Sequence, residues 1–509
     1  MEEGANKKTK NYKLRTSHKM KKTILNIAAL IGITTVGIAQ NEVDALHYSQ
    51  EYSFGTARST AMGGAFGTLG ADISDLSINP AGIALYKGSD VSFTPSFFYQ
   101  QTTSSYNNDL GTDSKFTMNF NSVGFVFARP KETSSLIHGF SFGLAYNRTN
   151  NFTNAISIES KNNNSSILDI YVAEANGTNP SSMVANYPFD AGLAYDLYLL
   201  DTIPGDTTHY FSVVSNGGTV QRKYIETSGG MGQMDMTLGC MVGSRLYFGA
   251  SLGFPTVKYT ETSTYEESDE QDTIATLDKF TVSNHLTTTG GGFNIKFGAI
   301  YRIADFVRVG VAVHSPSVLK LTDSYYTEME RTFDSGSEPT LKESTLDYLP
   351  DGGIYSYTLT TPMRFTAGAS FIIAKIGAIS ADYELVDYST ARLSASDYGF
   401  FDENNAVSLA YKSASNLKIG TEWKIRPLAL RAGYAYYGSP YSNTDANNGS
   451  RSVYSVGVGF REQKYYLDFT YALSQTMDKY YMYDPAYADA SASLLSTSHS
   501  FLMTLGFRF

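Results

Sequence analysis

The sequence predicts an all-β chain: a transmembrane antiparallel β-barrel of about fourteen strands, its lumen plugged by an N-terminal hatch. Three observations predict it. From Tyr86 onward apolar residues recur with period two, as in "SHSFLMTLGFRF", where Phe501, Met503, Leu505, Phe507 and Phe509 share one face. Ser500, Thr504, Gly506 and Arg508 share the other, with Leu502 as the exception. Short and long connections alternate in strict order, which suits short periplasmic turns and long extracellular loops but not a soluble sandwich. Finally, residues 40–86 precede the first strand with no strand of their own, and a barrel of this girth cannot fill its lumen with inward side chains alone.

Composition agrees. The 509 residues include 38 Tyr, 30 Phe and 44 Gly but only 14 Pro, an aromatic-rich β profile. The net charge of -10 is spread along the chain without a basic tract, which disfavours nucleic acid as a partner. A single cysteine, Cys240, excludes an intramolecular disulfide framework and a CxxC site.

The N-terminal elements come first. Residues 24–39, "ILNIAALIGITTVGIA", follow Lys19, Lys21 and Lys22 and end in Gly37-Ile38-Ala39, the pattern of a secretory signal peptide. Residues 1–39 are therefore expected to be a start extension plus signal, with the mature chain beginning near Gln40. The stretch "TAMGGAFGTLGADISDLSINPAGIALY" (Thr60 to Tyr86) is too apolar for a linker and too rich in glycine for an ordinary helix. Gly63 and Gly64 permit tight turns. Pro80 biases Asn79 toward an extended or turn conformation, and the Asn79 amide can satisfy neighbouring backbone groups. With Ala81 these residues are expected to shape and gate a compact plug spanning 40–86.

Residues 87–509 then form the barrel. The strands are expected at 91–101, 116–128, 139–157, 231–242, 245–260, 280–302, 306–321, 357–373, 376–393, 406–423, 428–437, 451–460, 465–476 and 498–509. An even count leaves both ends on the periplasmic side. Several strands exceed the roughly ten residues of a tilted crossing, so the wall is expected to project beyond the bilayer. Long loops are expected at 157–230 and 322–355. In the first, Phe189, Leu193, Leu197 and Leu200 recur at helical spacing, and "SSILDIYVAEA" (Ser165 to Ala175) reads as a short helix after a Ser cap. These apolar residues either dock a hydrophobic ligand or pack the loop onto the rim.

No GxSxG, HExxH, Walker or dinucleotide motif occurs, and the seven histidines lack ligand spacing. No enzymatic activity, cofactor or metal is expected. The acidic run Glu266, Glu267, Asp269, Glu270 and Asp272 reads as a solvated loop.

With these features in place, the Asn79-Pro80-Ala81 step after a Gly/Ala-rich run resembles the hatch of the FadL/TodX family of outer-membrane transporters for long-chain fatty acids and other hydrophobic compounds. The stretches Gly292 to Pro316, Thr361 to Ser389 and Leu417 to Tyr436 resemble strands of that family, notably at His314-Ser315-Pro316 and Ala381-Asp382-Tyr383. The resemblance implies a monomeric barrel in a Gram-negative outer membrane. It implies capture of ligand outside, passage through the lumen, and lateral release at a kink in an early strand. By position that strand is 139–157, where "NRTNN" (Asn147 to Asn151) interrupts the alternation. Arg148, Arg364 and Arg431 are candidates for a ligand carboxylate by their place in strands. Phe509 is expected to address the barrel-assembly machinery, and membrane lipids are expected to surround the wall. Passive uptake of a hydrophobic small molecule is the leading expectation. The alternative is a binding or shuttle barrel for secreted or surface proteins, and a porin for polar solutes is disfavoured by the plug.

Overall fold

Asparagine, glycine and proline punctuate a chain that is otherwise mostly strand from Asp90 to Arg508. The computed structural model describes residues 41–52, 55–129, 137–214, 217–334, 338–374, 376–444, 447–485 and 487–509. The expected start extension and signal segment lie outside these residues.

Within residues 41–89, three short helices, α1 (Glu42–His47), α2 (Ala57–Ala61) and α3 (Asp75–Ile78), are followed by a 3-10 turn at Pro80–Leu85. The wall begins with β1 (Asp90–Tyr106), β2 (Asp109–Arg129) and β3 (Ile137–Asn151, continued by Asn154–Asn162). A cap follows, with α4 (Leu168–Ala175), α5 (Met183–Asn186) and α6 (Ala191–Asp196). Next come β4 (Thr219–Val242), β5 (Leu246–Ser268), β6 (Lys279–Ala304) and β7 (Val307–His314, continued by Val318–Thr332). After α7 (Thr345–Tyr348) run β8 (Gly353–Thr360 and Arg364–Ile373) and β9 (Gly377–Asp387). Helix α8 (Phe401–Ala410) precedes β10 (Ser413–Ile425), β11 (Leu428–Tyr437), β12 (Arg451–Arg461), β13 (Tyr465–Tyr481) and β14 (Ser491–Arg508).

Each strand runs antiparallel to the next, and β14 pairs back onto β1, from Asp90 opposite Arg508 to Ser105 opposite Ser493. Fourteen strands thus close into a barrel. Their outward residues include Phe93, Phe125, Phe140, Leu238, Phe297, Phe371 and Phe469, all exposed on the isolated chain. So large an apolar surface suits hydrocarbon rather than water.

The wall is uneven in height. Strands β4, β5 and β6 have 24, 23 and 26 residues, whereas β10, β11 and β12 have 13, 10 and 11. The tall side carries the cap, and its strands run further than the sequence reading placed them. Loop 157–230 shrinks because the strands flanking it continue to Asn162 and resume at Thr219. Likewise β7 runs on to Thr332.

Two other boundaries differ. The first extracellular connection is a tight hairpin at Asn107 and Asn108, both at positive φ (48° and 75°), rather than the longer link expected before Phe116. Asparagine tolerates the left-handed region that two-residue hairpins demand. Helix α8 begins inside a stretch read as loop and ends inside one read as strand, because "FDENNAVSLA" has no period-two pattern and only Val407 is fully buried.

Candidate functional site

The lumen is occupied by residues 41–52 and 55–89, and its wall is shaped to receive them. Glycines on inward-facing strand positions leave room for hatch backbone. A Cβ at Gly249 would overlap the Pro80 carbonyl, and one at Gly298 would overlap the Asn79 side chain. Within the hatch, Gly63 and Gly64 turn the chain after α2 at φ of 64° and 74°. Asn79 caps the 3-10 turn by accepting from the Ala81 amide at 3.1 Å, and its Nδ2 donates to the Gly67 carbonyl at 2.6 Å. Pro80 takes the first position of that turn, where its missing N–H costs nothing.

Charge holds the hatch to the far wall. The Arg58 guanidinium on α2 grips Glu422 of β10 at 2.8 and 3.1 Å and lies over the Phe66 ring. Glu422 also meets Arg431 at 2.7 Å, Arg431 meets Asp468 at 2.8 Å, and Asp468 meets Arg461 at 3.0 Å. Alternating charges in this order satisfy one another in a space closed to bulk water, so removing one member strands another. A second anchor joins Ser77 of α3 to Asp235 at 2.6 Å, with Lys296 beside both. His314 Nε2 lies 3.0 Å from the Ile78 carbonyl, and Arg364 contacts Glu51 and Glu384.

On the near wall the ladder is broken. β2 and β3 pair from Arg129 opposite Phe140 only as far as Ser122 opposite Asn147. Above that point β2 pairs with β1 alone, while β3 continues against β4, interrupted at Phe152 and Thr153. Irregular register at Thr94/Pro95 and between Arg148 and Asn150 redirects the two strands. Side chains rather than backbone bridge the gap. Lys115 of β2 reaches Glu226 at 2.6 Å and the Thr227 carbonyl at 3.0 Å. Thr102 donates to Asn154, Ser104 to the Ser157 carbonyl and Ser160 to Asp109.

The hatch touches this interrupted strand directly. The Tyr52 amide donates to the Thr149 carbonyl at 2.8 Å, Asn150 to the Gln50 carbonyl at 3.1 Å and Asn147 to Ser77 at 2.8 Å. The His47 ring at the end of α1 stacks on Phe152 with centroids 4.3 Å apart. Hatch and kink are one hydrogen-bonded unit.

Above them the cap has its own apolar core. Leu193, Leu197 and Leu200 are buried there with Leu168, Ile170 and Met183, against the tops of the tall strands. Phe189 lies 4.9 Å from the Tyr325 ring on β7. The continuous helical spacing read from the sequence becomes the short α6, after which Tyr198 takes a positive φ and Leu200 enters a small strand pair. Ser166 lies at the start of α4, its Oγ accepting from the Leu168 amide. Two cap acids lie near each other: Asp190 accepts from the Ala191 amide at 2.7 Å, and burial raises its carboxyl to about 6. Burial, reinforced by Asp190 and Asp484, pushes Glu174 up to about 8.

The structure therefore distributes the sequence-selected residues over three levels. Gly63, Gly64, Asn79, Pro80 and Ala81 lie in the hatch, Arg148 lies at the wall gap, and Phe189 with the three leucines lies in the cap. Of the three arginines singled out, Arg364 and Arg431 are held by carboxylates, whereas Arg148 donates to the Gly229 carbonyl at 3.3 Å and makes no ion pair among the described residues. Sequence reasoning missed Lys115, Ser77, Arg58 and Glu422. Their partners lie far away in the chain, 364 residues for Arg58 and Glu422, so no local pattern marks them.

Residues 232–508 match the family described as "Outer membrane protein transport protein (OMPP1/FadL/TodX)". No curated protein matches the sequence. Among solved structures, a Pseudomonas aeruginosa FadL homologue is similar at 12% identity and a TM-score of 0.54, over 91% of this chain and 100% of that one. The Pseudomonas putida toluene transporter TodX is similar at 11% identity and a TM-score of 0.50, over 90% and 100%. At such identities these two likenesses speak for the fold, while the family match extends over more than half of the sequence. The chain belongs to the FadL/TodX family of outer-membrane transport proteins.

Proposed function

We propose that the protein admits hydrophobic small molecules, long-chain fatty acids or other apolar compounds, passively across the outer membrane of a Gram-negative bacterium. The cap captures the molecule, with the half-buried Phe189 beside Tyr325 contributing apolar surface and the leucines Leu193, Leu197 and Leu200 forming the core that holds the cap together. The hatch at 40–86 gates the lumen, and release is lateral, through the gap beside β3. The observation that carries this reading is the hydrogen bonding of Gln50 with Asn150, Tyr52 with Thr149 and Ser77 with Asn147. Because the hatch is bonded to a strand that has parted from its neighbour, plug movement would couple to opening of the wall.

An exit toward the bilayer suits a cargo that gains nothing from entering water. The fold shared with TodX, a toluene transporter, is consistent with an apolar cargo. Arg148, which makes no ion pair among the described residues beside the gap, is the residue that favours an acidic amphiphile over bare hydrocarbon. Phe509 is assigned to assembly of a monomeric barrel, and no step of the scheme calls for enzymatic chemistry.

Uptake of radiolabelled oleate and of toluene into cells carrying or lacking the protein tests the scheme. Protein-dependent uptake of either supports it. No uptake of either, with a secreted or surface protein retained on the loops, would instead establish the shuttle reading.

A further inference from the structure

A second apolar site lies on the outside of the wall, where the first and last strands meet. The seam between β1 and β14 loses its ladder at Thr94 and Pro95, since pairing passes from Phe93 opposite Leu505 to Ser96 opposite Leu502. Pro95 has no N–H to give, and β1 is irregular on its β2 edge at the same step. Over this defect runs a groove of about 550 Å³. Phe97, Phe469, Phe501 and Met503 wall it, and Pro95 and Gly457 leave its floor low. Of the two hydroxyls among its lining residues, that of Thr470 is turned inward to the Ala57 carbonyl at 2.5 Å and that of Tyr471 is paired with the His499 ring at 2.8 Å. The groove therefore accepts a chain and not a head group.

Its depth and surroundings say which chain. The groove opens onto the outward aromatic face, continuous with the surface that meets lipid. Thr470 stands six residues above Lys464, about 14 Å along the membrane normal for a strand rising about 3.3 Å per residue at a tilt of about 45°. Lys464 is exposed in the periplasmic turn between β12 and β13, and Lys87 is exposed just before β1. The end of β14 lies between them, because Arg508 donates to the Lys464 carbonyl and Ser89 to the Phe509 carbonyl. Neither lysine makes an ion pair among the described residues. We propose that the groove holds one acyl chain of a phospholipid from the periplasmic leaflet, its phosphate met by Lys87 and Lys464. The floor also backs the hatch seat, since a Cβ at Gly457 would come 2.6 Å from that of Ala61. The bound chain thus packs against the thin wall behind α2.

The test uses the full protein reconstituted in vesicles of phosphatidylethanolamine and phosphatidylglycerol, the former carrying a photoreactive diazirine at mid-chain. Adducts mapped by mass spectrometry should concentrate on Phe97, Phe469, Phe501 and Met503 about tenfold over Phe125, Leu238 and Phe297, equivalent to about 1.4 kcal/mol of preference. Val456→Trp, at the lip of the groove, should return labelling to the level of those controls while the barrel stays folded by heat-modifiability. Val458→Phe provides the same block should that variant fail to fold. Replacing both Lys87 and Lys464 by Gln should lower the enrichment severalfold. Even labelling around the belt, undiminished labelling in the blocked variants, or displacement of the label by free oleate would overturn the proposal, the last by assigning the groove to transported cargo.

Discussion

At the scale of single residues the hatch is held by a few buried charges. Arg58 supplies two donors to Glu422, and its loss leaves that carboxylate to Arg431 and the half-exposed Lys424. Arg58→Met should destabilise the folded protein by about 3 kcal/mol, within the range for breaking a buried pair. Arg58→Lys should lose less than the full amount, since an ammonium keeps the charge but not the two-pronged geometry. Urea unfolding in detergent measures both, and an unchanged midpoint for Arg58→Met would show that the hatch is seated by other contacts. Nothing local in "TARSTAMGG" announces this role. The glycine-rich character of the plug was legible because turns need it, but the partner of Arg58 becomes visible only when the wall closes.

The cap acids titrate in a direction that can be checked. Glu174 and Asp190 both sit above the ordinary carboxylate range, the former at about 8 and the latter at about 6, chiefly because burial penalises their charged forms. A raised acid is one that folding helps to stay protonated. Its contribution is present at low pH and is lost as pH rises from the ordinary carboxylate range through the raised value. Amide exchange across residues 168–196, corrected for intrinsic base catalysis, should therefore quicken severalfold between pH 6 and pH 9. Glu174→Gln should flatten that dependence, and a cap equally protected at both pH values in the native protein would refute the assignment.

At the scale of elements, period-two alternation made the strands readable, and loop order made their number readable. The misplacements are physical. β4 to β7 rise well above the hydrocarbon to carry the cap, so their upper halves lose the apolar outer face that marks a strand in lipid, as at Arg222, Tyr224 and Glu226 on β4. The interruption in β3 was legible as "NRTNN", but not that Lys115 of β2 would span the resulting gap. That bridge is exposed on its Glu226 side and so is weak, worth at most about 1 kcal/mol. Lys115→Met should raise the rate of cargo release by about twofold to fivefold, the rate equivalent of that energy. Single-turnover efflux from preloaded vesicles measures it. A rate that does not move would mean that Lys115 takes no part in closing the gap.

At the scale of the whole molecule, a cap crowns the tall side of the wall, and the hatch is seated on wall glycines and charges and bonded to a parted strand. The family match covers 232–508, which contains most of the wall but none of the hatch, so the proposed gating role rests on the contacts between hatch and barrel. Tethering the hatch is the most direct test. The Cβ of residue 61 and one built at 457 lie 2.6 Å apart, closer than the roughly 3.5–4.5 Å that a disulfide spans, so hatch and wall must part by about 1 Å to accept the bond. Ala61→Cys with Gly457→Cys, in a Cys240→Ser background, should form a bond on oxidation. Protein-dependent oleate uptake should then fall to the level of vesicles without the barrel and return on reduction. Uptake that proceeds unchanged with the hatch covalently fixed to β12 would contradict the account.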